Sequence, residues 1–144
     1  EEFSRITGYT PVLFHAVDGQ GQDIYHTNVM MALGETFVVI IMDSIRDAED
    51  KSDLLAYFDA TGKEVIDLSL EQMMSFAGNM LQVRNSSGQT FLVMSTQAFQ
   101  ALTPAQIAQI EKHTQILHSP IDTIETYGGG SARCMMAEVF LPKV

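Results

Sequence analysis

The sequence is poor in cysteine, in basic residues and in long apolar runs, and each shortage closes off a class of protein. One cysteine cannot make an internal disulfide or a cysteine zinc cluster, which excludes a secreted disulfide framework and a zinc ribbon and makes a reduced, cytoplasmic setting the expectation. Only 8 Lys plus Arg stand against 18 Asp plus Glu, for a formal charge of −10. Neither phosphate neutralisation nor a polybasic anchor is available, so no nucleic acid and no membrane is expected as a partner, whereas a cationic or zwitterionic small ligand is tolerated. The longest unbroken apolar run, Phe37 to Met42, falls far short of the roughly 20 residues of a spanning helix, and no basic-then-apolar leader opens the chain, which reads as soluble. No P-loop, Rossmann glycine pattern or HExxH motif occurs, and neither a metal nor a cofactor is expected. The opening Glu1-Glu2-Phe3-Ser4, without an initiator methionine, fits a processed product or a fragment of a longer protein.

What is present suits a single domain with a real core: 144 residues, 46% of them hydrophobic. Residues 1–8 read as a helix end stopped by Gly8, Thr10 to Val17 as a strand, and Asp18-Gly19-Gln20-Gly21 as a turn. Ile24 to Leu33 and Glu35 to Met42 form a hairpin about Gly34, the second strand apolar enough to be buried on both faces. Asp47 to Ala60 is helical by the stripe Leu54, Leu55 and Phe58, and Glu64 to Leu68 is a short strand. Ser69 with Gln72 is a capping-box pattern that opens a short helix over 70–76. Met80 to Arg84 and Thr90 to Ser95 form a second hairpin. Thr103-Pro104-Ala105-Gln106 starts another helix, Gln115 to Leu117 is a strand, and Arg133 to Leu141 is the closing strand.

The two hairpins resemble each other. Asn28-Val29-Met30 followed by Glu35-Thr36-Phe37-Val38-Val39-Ile40 matches Asn79-Met80-Leu81 followed by Gln89-Thr90-Phe91-Leu92-Val93-Met94, a period of just over fifty residues. Each pair leads into a helix and a further strand, so the expected architecture is a repeat of ββαβ units over about 24–68 and 77–120, with the closing strand at about 132–141. Chance likeness between two hairpins is the competing explanation.

The chemistry concentrates at Gly128-Gly129-Gly130-Ser131-Ala132-Arg133-Cys134, where the only cysteine follows three glycines that let another chain or a ligand approach closely. Either Cys134 is a reactive centre or it is a buried structural cysteine after a flexible turn. A reactive thiol needs a base or cation nearby, and His26, at the start of the first repeat strand, is the candidate partner. His15, His113 and His118 read as solvated or capping residues. Asp43, Asp47, Glu49, Asp50 and Asp53 gather at a helix start, where they complement its dipole, and the nine methionines read as core.

Together, Tyr25-His26-Thr27-Asn28-Val29-Met30-Met31, Gly78-Asn79-Met80-Leu81 and Gly128-Gly129-Gly130-Ser131-Ala132-Arg133-Cys134-Met135 resemble the penteins, the guanidino-group-modifying superfamily, and within it the amidinotransferase-like branch that includes citrulline utilisation hydrolases. The resemblance implies an α/β propeller of five ββαβ blades, of which this chain would be the C-terminal half. It implies a hydrolase acting on a guanidino or ureido C–N bond, with Cys134 as nucleophile and His26 as general acid and base. An amidinotransferase, a deiminase or a non-catalytic pentein-like binding module is the alternative. Asn79, Gly129 and Gly130 would line the substrate. Asn28 stands where deiminases typically carry an acidic residue, and a neutral amide there fits a ureido oxygen, as in citrulline, better than a guanidinium. The family's remaining substrate carboxylates belong to an N-terminal half without counterpart here, so that half is an implied partner. Self-association as a homo-oligomer is compatible with the same reading.

Overall fold

The computed structural model describes residues 2–138. After a short helix α1 (Glu2–Thr7), the chain builds two three-stranded sheets with the same connectivity. In the first, β1 (Met31–Leu33) pairs antiparallel with β2 (Phe37–Ile40); helix α2 (Ala48–Ala60) crosses over, and β3 (Glu64–Asp67) returns parallel to β2. Helix α3 (Leu70–Met74) then links to β4 (Leu81–Arg84), β5 (Thr90–Ser95), helices α4 (Thr96–Ala101) and α5 (Pro104–Glu111), and β6 (Gln115–Ser119). Here β4 and β5 are antiparallel and β5 and β6 parallel, so the internal repeat seen in sequence is a repeat of strand pairing. Helix α6 (Asp122–Tyr127) and a 3-10 turn at Ala132–Met135 follow. The result is an α/β fold of two small sheets, and the described residues do not close a ring.

One core joins the units. All four residues of β2 are fully buried, as the apolar run from Phe37 requires, and Ile66, Leu92, Met94 and Ile110 meet them from the neighbouring strands and α5. Leu54 and Phe58, one turn apart on α2, close the same core from the helix side. Two capping boxes interlock where the units meet. Ser69 and Gln72 cap α3 reciprocally, as do Thr103 and Gln106 for α5. The spare amide of Gln72 donates to Gln106 Oε1 at 2.8 Å, and that of Gln106 donates to the Asp67 carbonyl at 2.8 Å. Residues that read locally as helix starts therefore also fix the second unit against the first.

Four expectations change in the folded chain. Residues 10–17 form no strand: only the isolated bridges of Ala16 with Ile45 and Val17 with Asp23 are made. Pro11 has no N–H to give, and an extended segment without a neighbouring edge has nothing to pair with. The expected strand over Ile24 to Leu33 starts only at Met31, because His26 caps a 3-10 turn at Thr27–Val29, its Nδ1 accepting the Asn28 N–H at 3.1 Å. Helices α4 and α6 were unforeseen; Ser95 caps the former through Ala98 N at 3.0 Å. The closing strand is replaced over Ala132–Met135 by a 3-10 turn, since the Arg133 N–H goes to the Asn79 side chain rather than to a strand neighbour; its end, 139–141, lies outside the described residues.

His113 is likewise no solvated helix end. Its side chain is 15% exposed, stacks on Phe37 with ring centroids 5.2 Å apart, and bonds Thr36 Oγ1 at 2.8 Å and Glu64 Oε2 at 3.1 Å. His15 remains exposed beside Asp23, and His118 lies flat against Phe99 at 4.2 Å. Among the methionines, Met30, Met80 and Met94 are core, whereas Met74 and Met135 face outward.

Candidate functional site

Cys134 lies on the 3-10 turn after the triple glycine, and the residue is exposed rather than buried. The bland reading of it as a sequestered structural cysteine therefore fails. Gly129 takes φ +69°, which turns the chain, and Gly130 passes so close to the sulfur that a Cβ there would sit 3.0 Å from both Cys134 Cβ and Sγ. The loop is held from behind. Ser131, fully buried, donates to Glu125 Oε1 at 2.6 Å, and Glu125 is itself 8% exposed with its second oxygen unpaired among the described residues.

Asn79 is the residue to which the site's backbone and sulfur converge. It follows Gly78, where any Cβ would collide with the Val29 carbonyl oxygen, so only glycine lets α3 exit against the turn at Thr27–Val29. Phe76, at φ +60°, makes the same exit and is the one non-glycine residue in that region of backbone space among those described. Delivered there, Asn79 is 4% exposed. Its Nδ2 donates to the Asn28 carbonyl at 2.9 Å and to Cys134 Sγ at 3.2 Å, while its Oδ1 accepts the Arg133 N–H at 2.9 Å.

A cavity of about 300 Å³ opens beside the sulfur, lined by Asp18, Asp23, Tyr25, Phe76 and Met74 together with Asn79, Gly129, Gly130 and Cys134. Four of the residues singled out in sequence thus line one cavity. Sequence reasoning missed the carboxylates. Asp18 is in the turn before the first hairpin, its Oδ1 accepting the N–H groups of Gln20 and Gln22 at 2.8 Å each, and Asp23 closes that loop through the Val17 bridge while bonding His15 at 2.8 Å. Each keeps its other carboxylate oxygen outside these bonds, and among the described residues none that lines the cavity is cationic, so its charged lining is acidic. The only signal for them was the turn itself; its approach to Cys134 is a matter of tertiary structure.

Asn28 joins the site through its carbonyl on Asn79, but it lines the adjoining groove between β1 and β4, of about 730 Å³, with Leu33, Glu35, Arg84, Arg133 and Glu138. Glu35 pairs with Arg84 across that groove, and its N–H donates to Gln82 Oε1 at 2.8 Å. His26 is exposed and lines neither cavity; among the described residues it shares no hydrogen bond with Cys134. With Nδ1 accepting from Asn28, its free nitrogen is Nε2, and its ring meets the edge of Tyr25, which does line the cavity, at 6.4 Å. No group of three or more metal-ligating side chains occurs among the described residues. No described helix is long and apolar enough to cross a membrane.

Residues 1–141 match the family model for N,N dimethylarginine dimethylhydrolase, eukaryotic. A search of curated proteins found no match. Among solved structures, the apo form of ArgZ, an arginine dihydrolase from the ornithine-ammonia cycle in cyanobacteria, superposes with a TM-score of 0.70 at 14% identity, over 99% of this chain and 21% of that one. The N-terminal domain of ArgZ bound to product gives a TM-score of 0.64 at 15% identity over 92% of this chain, and an Asn-to-Ser variant of that domain, covalently bound to a reaction intermediate, gives 0.65 at 15% identity. The chain spans 43% of each of these domain chains. At such identities the structural likeness speaks to fold alone, and the fold it supports is the paired ββαβ arrangement described above. A family match over nearly the whole length, joined to that arrangement, makes this chain a member of the N,N dimethylarginine dimethylhydrolase family within the pentein superfamily.

Proposed function

We propose that this chain carries the nucleophile of a hydrolase that cleaves a C–N bond of a guanidino or ureido amino acid. The observation that carries the reading is the exposed Cys134, its sulfur hydrogen-bonded by Asn79, lining a cavity with two carboxylates. In this mechanism the Cys134 thiolate attacks the carbon held between nitrogens, and a C–S bond forms. His26, once its Nδ1 is released from the Asn28 N–H, takes up the Cys134 thiol proton to become imidazolium, and as the C–N bond breaks it gives a proton from Nε2 to the leaving amine. The same nitrogen next accepts a proton from the water that hydrolyses the thiouronium or thiocarbamate intermediate. His26 reaches the cavity from the Tyr25 side, through a change in its side-chain torsions. Asp18 and Asp23 supply negative charge for a guanidinium or an α-ammonium group, and Gly129 and Gly130 let the substrate lie against the backbone. Asn28, on the groove side, suits a ureido oxygen. In this reading the chain is the C-terminal half of a pentein domain, and further ββαβ units complete both the ring and the site.

An amidinotransferase shares every step up to the intermediate and differs in the acceptor. A purely binding role would not need an exposed thiol. The test is to assay the polypeptide containing this chain for citrulline, ornithine, ammonia and alkylamine release from arginine, methylated arginines and citrulline, and to look for a mass adduct on Cys134. Turnover that disappears in a folded Cys134→Ala variant, with the adduct, is expected. Equal turnover in that variant would sink the proposal.

A further inference from the structure

We infer that Asn79 is a positioning residue that holds the Cys134 sulfur as a hydrogen-bond acceptor, favouring the thiolate, and that it acts through the sulfur rather than on the substrate. This rests on the reading of Cys134 as the nucleophile. A primary amide has two donor hydrogens and an oxygen that accepts twice. At Asn79 the orientation is fixed by its partners. The Arg133 N–H can only donate, so Oδ1 must face it, and the Asn28 carbonyl can only accept, so Nδ2 must face that. The second Nδ2 hydrogen is then aimed at Sγ, 3.2 Å away. Flipping the amide would place two acceptors together and two donors together, losing both backbone bonds.

Both donor hydrogens are therefore used within the protein, and the side chain is 4% exposed, which leaves it little to offer a ligand. What it does offer is a neutral donor to sulfur, and a hydrogen bond to the charged form of a group favours that form. Among the described residues no other side chain donates to Cys134 Sγ. The anchoring is asymmetric as well: one amide ties the turn of the first unit at Asn28 to the turn of the thiol at Arg133, so the sulfur's position is set by two backbone segments that are 105 residues apart in sequence (133 − 28). The local chain supports this placement through Phe76 and Gly78, which together fix the exit from α3.

The experiment is the pH dependence of iodoacetamide alkylation, read by intact mass; Cys134 is the only cysteine in the sequence, so one adduct reports one site. In Asn79→Asp, the oxygen facing Arg133 is kept, the donor to sulfur is lost and a like charge arrives. Alkylation near pH 7.5 is expected to slow about tenfold, with the pH of half-maximal rate rising by about one unit, tenfold per unit being the thiolate fraction's own dependence on pH. Asn79→Ala should move the midpoint in the same direction by less. A structural role alone would lower the melting temperature and change the rate at every pH without moving the midpoint. Should either variant fail to fold by circular dichroism, the Asn79 side-chain amide proton and nitrogen signals of the unsubstituted protein serve instead: they should titrate with the alkylation midpoint. An unmoved midpoint in a folded variant, or flat amide signals through that midpoint, would overturn the inference. The assay needs no substrate, so its failure is distinguishable from a failure to turn over guanidino compounds.

Discussion

Removing the Ser131 hydroxyl should show how much the Cys134 loop depends on a single buried carboxylate. Ser131 is fully buried and donates to Glu125 Oε1 at 2.6 Å, while Glu125 Oε2 has no partner among the described residues. In Ser131→Ala the carboxylate is left with neither oxygen bonded. A hydrogen bond to a charged group contributes about 1.5–3 kcal/mol, and stranding a buried charge costs about 3–5 kcal/mol when the group cannot reach water. Glu125 retains 8% exposure, so partial solvation keeps the expected loss at about 2–4 kcal/mol. With a urea slope of about 2 kcal/mol per M, the unfolding midpoint should fall by about 1–2 M. The double variant Ser131→Ala with Glu125→Leu removes the charge as well as its partner, and it should recover most of that loss, because an apolar replacement for a buried polar pair is often neutral. Urea titrations of the wild type, both single variants and the double variant complete a mutant cycle. A drop below about 0.5 M for Ser131→Ala, or a double variant no more stable than the worse single one, would refute the reasoning that a stranded carboxylate controls this loop.

Two further outcomes follow from the same geometry. Gly130→Ala should slow Cys134 alkylation about tenfold or more while leaving the unfolding midpoint nearly unchanged, since the added Cβ meets the Cys134 side chain at 3.0 Å rather than the core; alkylation at the wild-type rate would argue against close approach. Hydrogen bonds from His113 first and Lys112 second hold the Glu64 carboxyl below its ordinary 4.5, so its stabilising contribution is present above that value and is lost as pH falls through the lowered folded value. Melting temperatures of wild type and Glu64→Gln should therefore differ by a constant amount above about pH 5 and converge below it, and a gap that widens in acid would show the sign to be wrong.

The sequence by itself determined most of the local structure, because the signals concerned are short-range. Reciprocal caps at Ser69 with Gln72 and at Thr103 with Gln106, a strand at Phe37 to Ile40 made of apolar residues alone, and the fifty-residue likeness of the hairpins are each legible within a dozen residues or by comparing two windows. The nucleophile candidate was legible too, as a lone cysteine after three glycines. Tertiary structure decided what surrounds it. The Arg133 N–H had two outlets, a strand neighbour or the Asn79 side chain, and only the packing of α3 against the turn at Thr27–Val29 supplied the second, which turned an apparent closing strand into a 3-10 turn at Ala132–Met135. His113 reads as a polar helix end until Phe37 and Glu64 arrive from 76 and 49 residues away (113 − 37 and 113 − 64) to stack on it and bond it. Asp18 and Asp23 reach the thiol's cavity for the same reason: a hydrogen-bond donor 55 residues from the sulfur and carboxylates more than a hundred residues from it line one cavity only when the chain folds its two repeats onto one core.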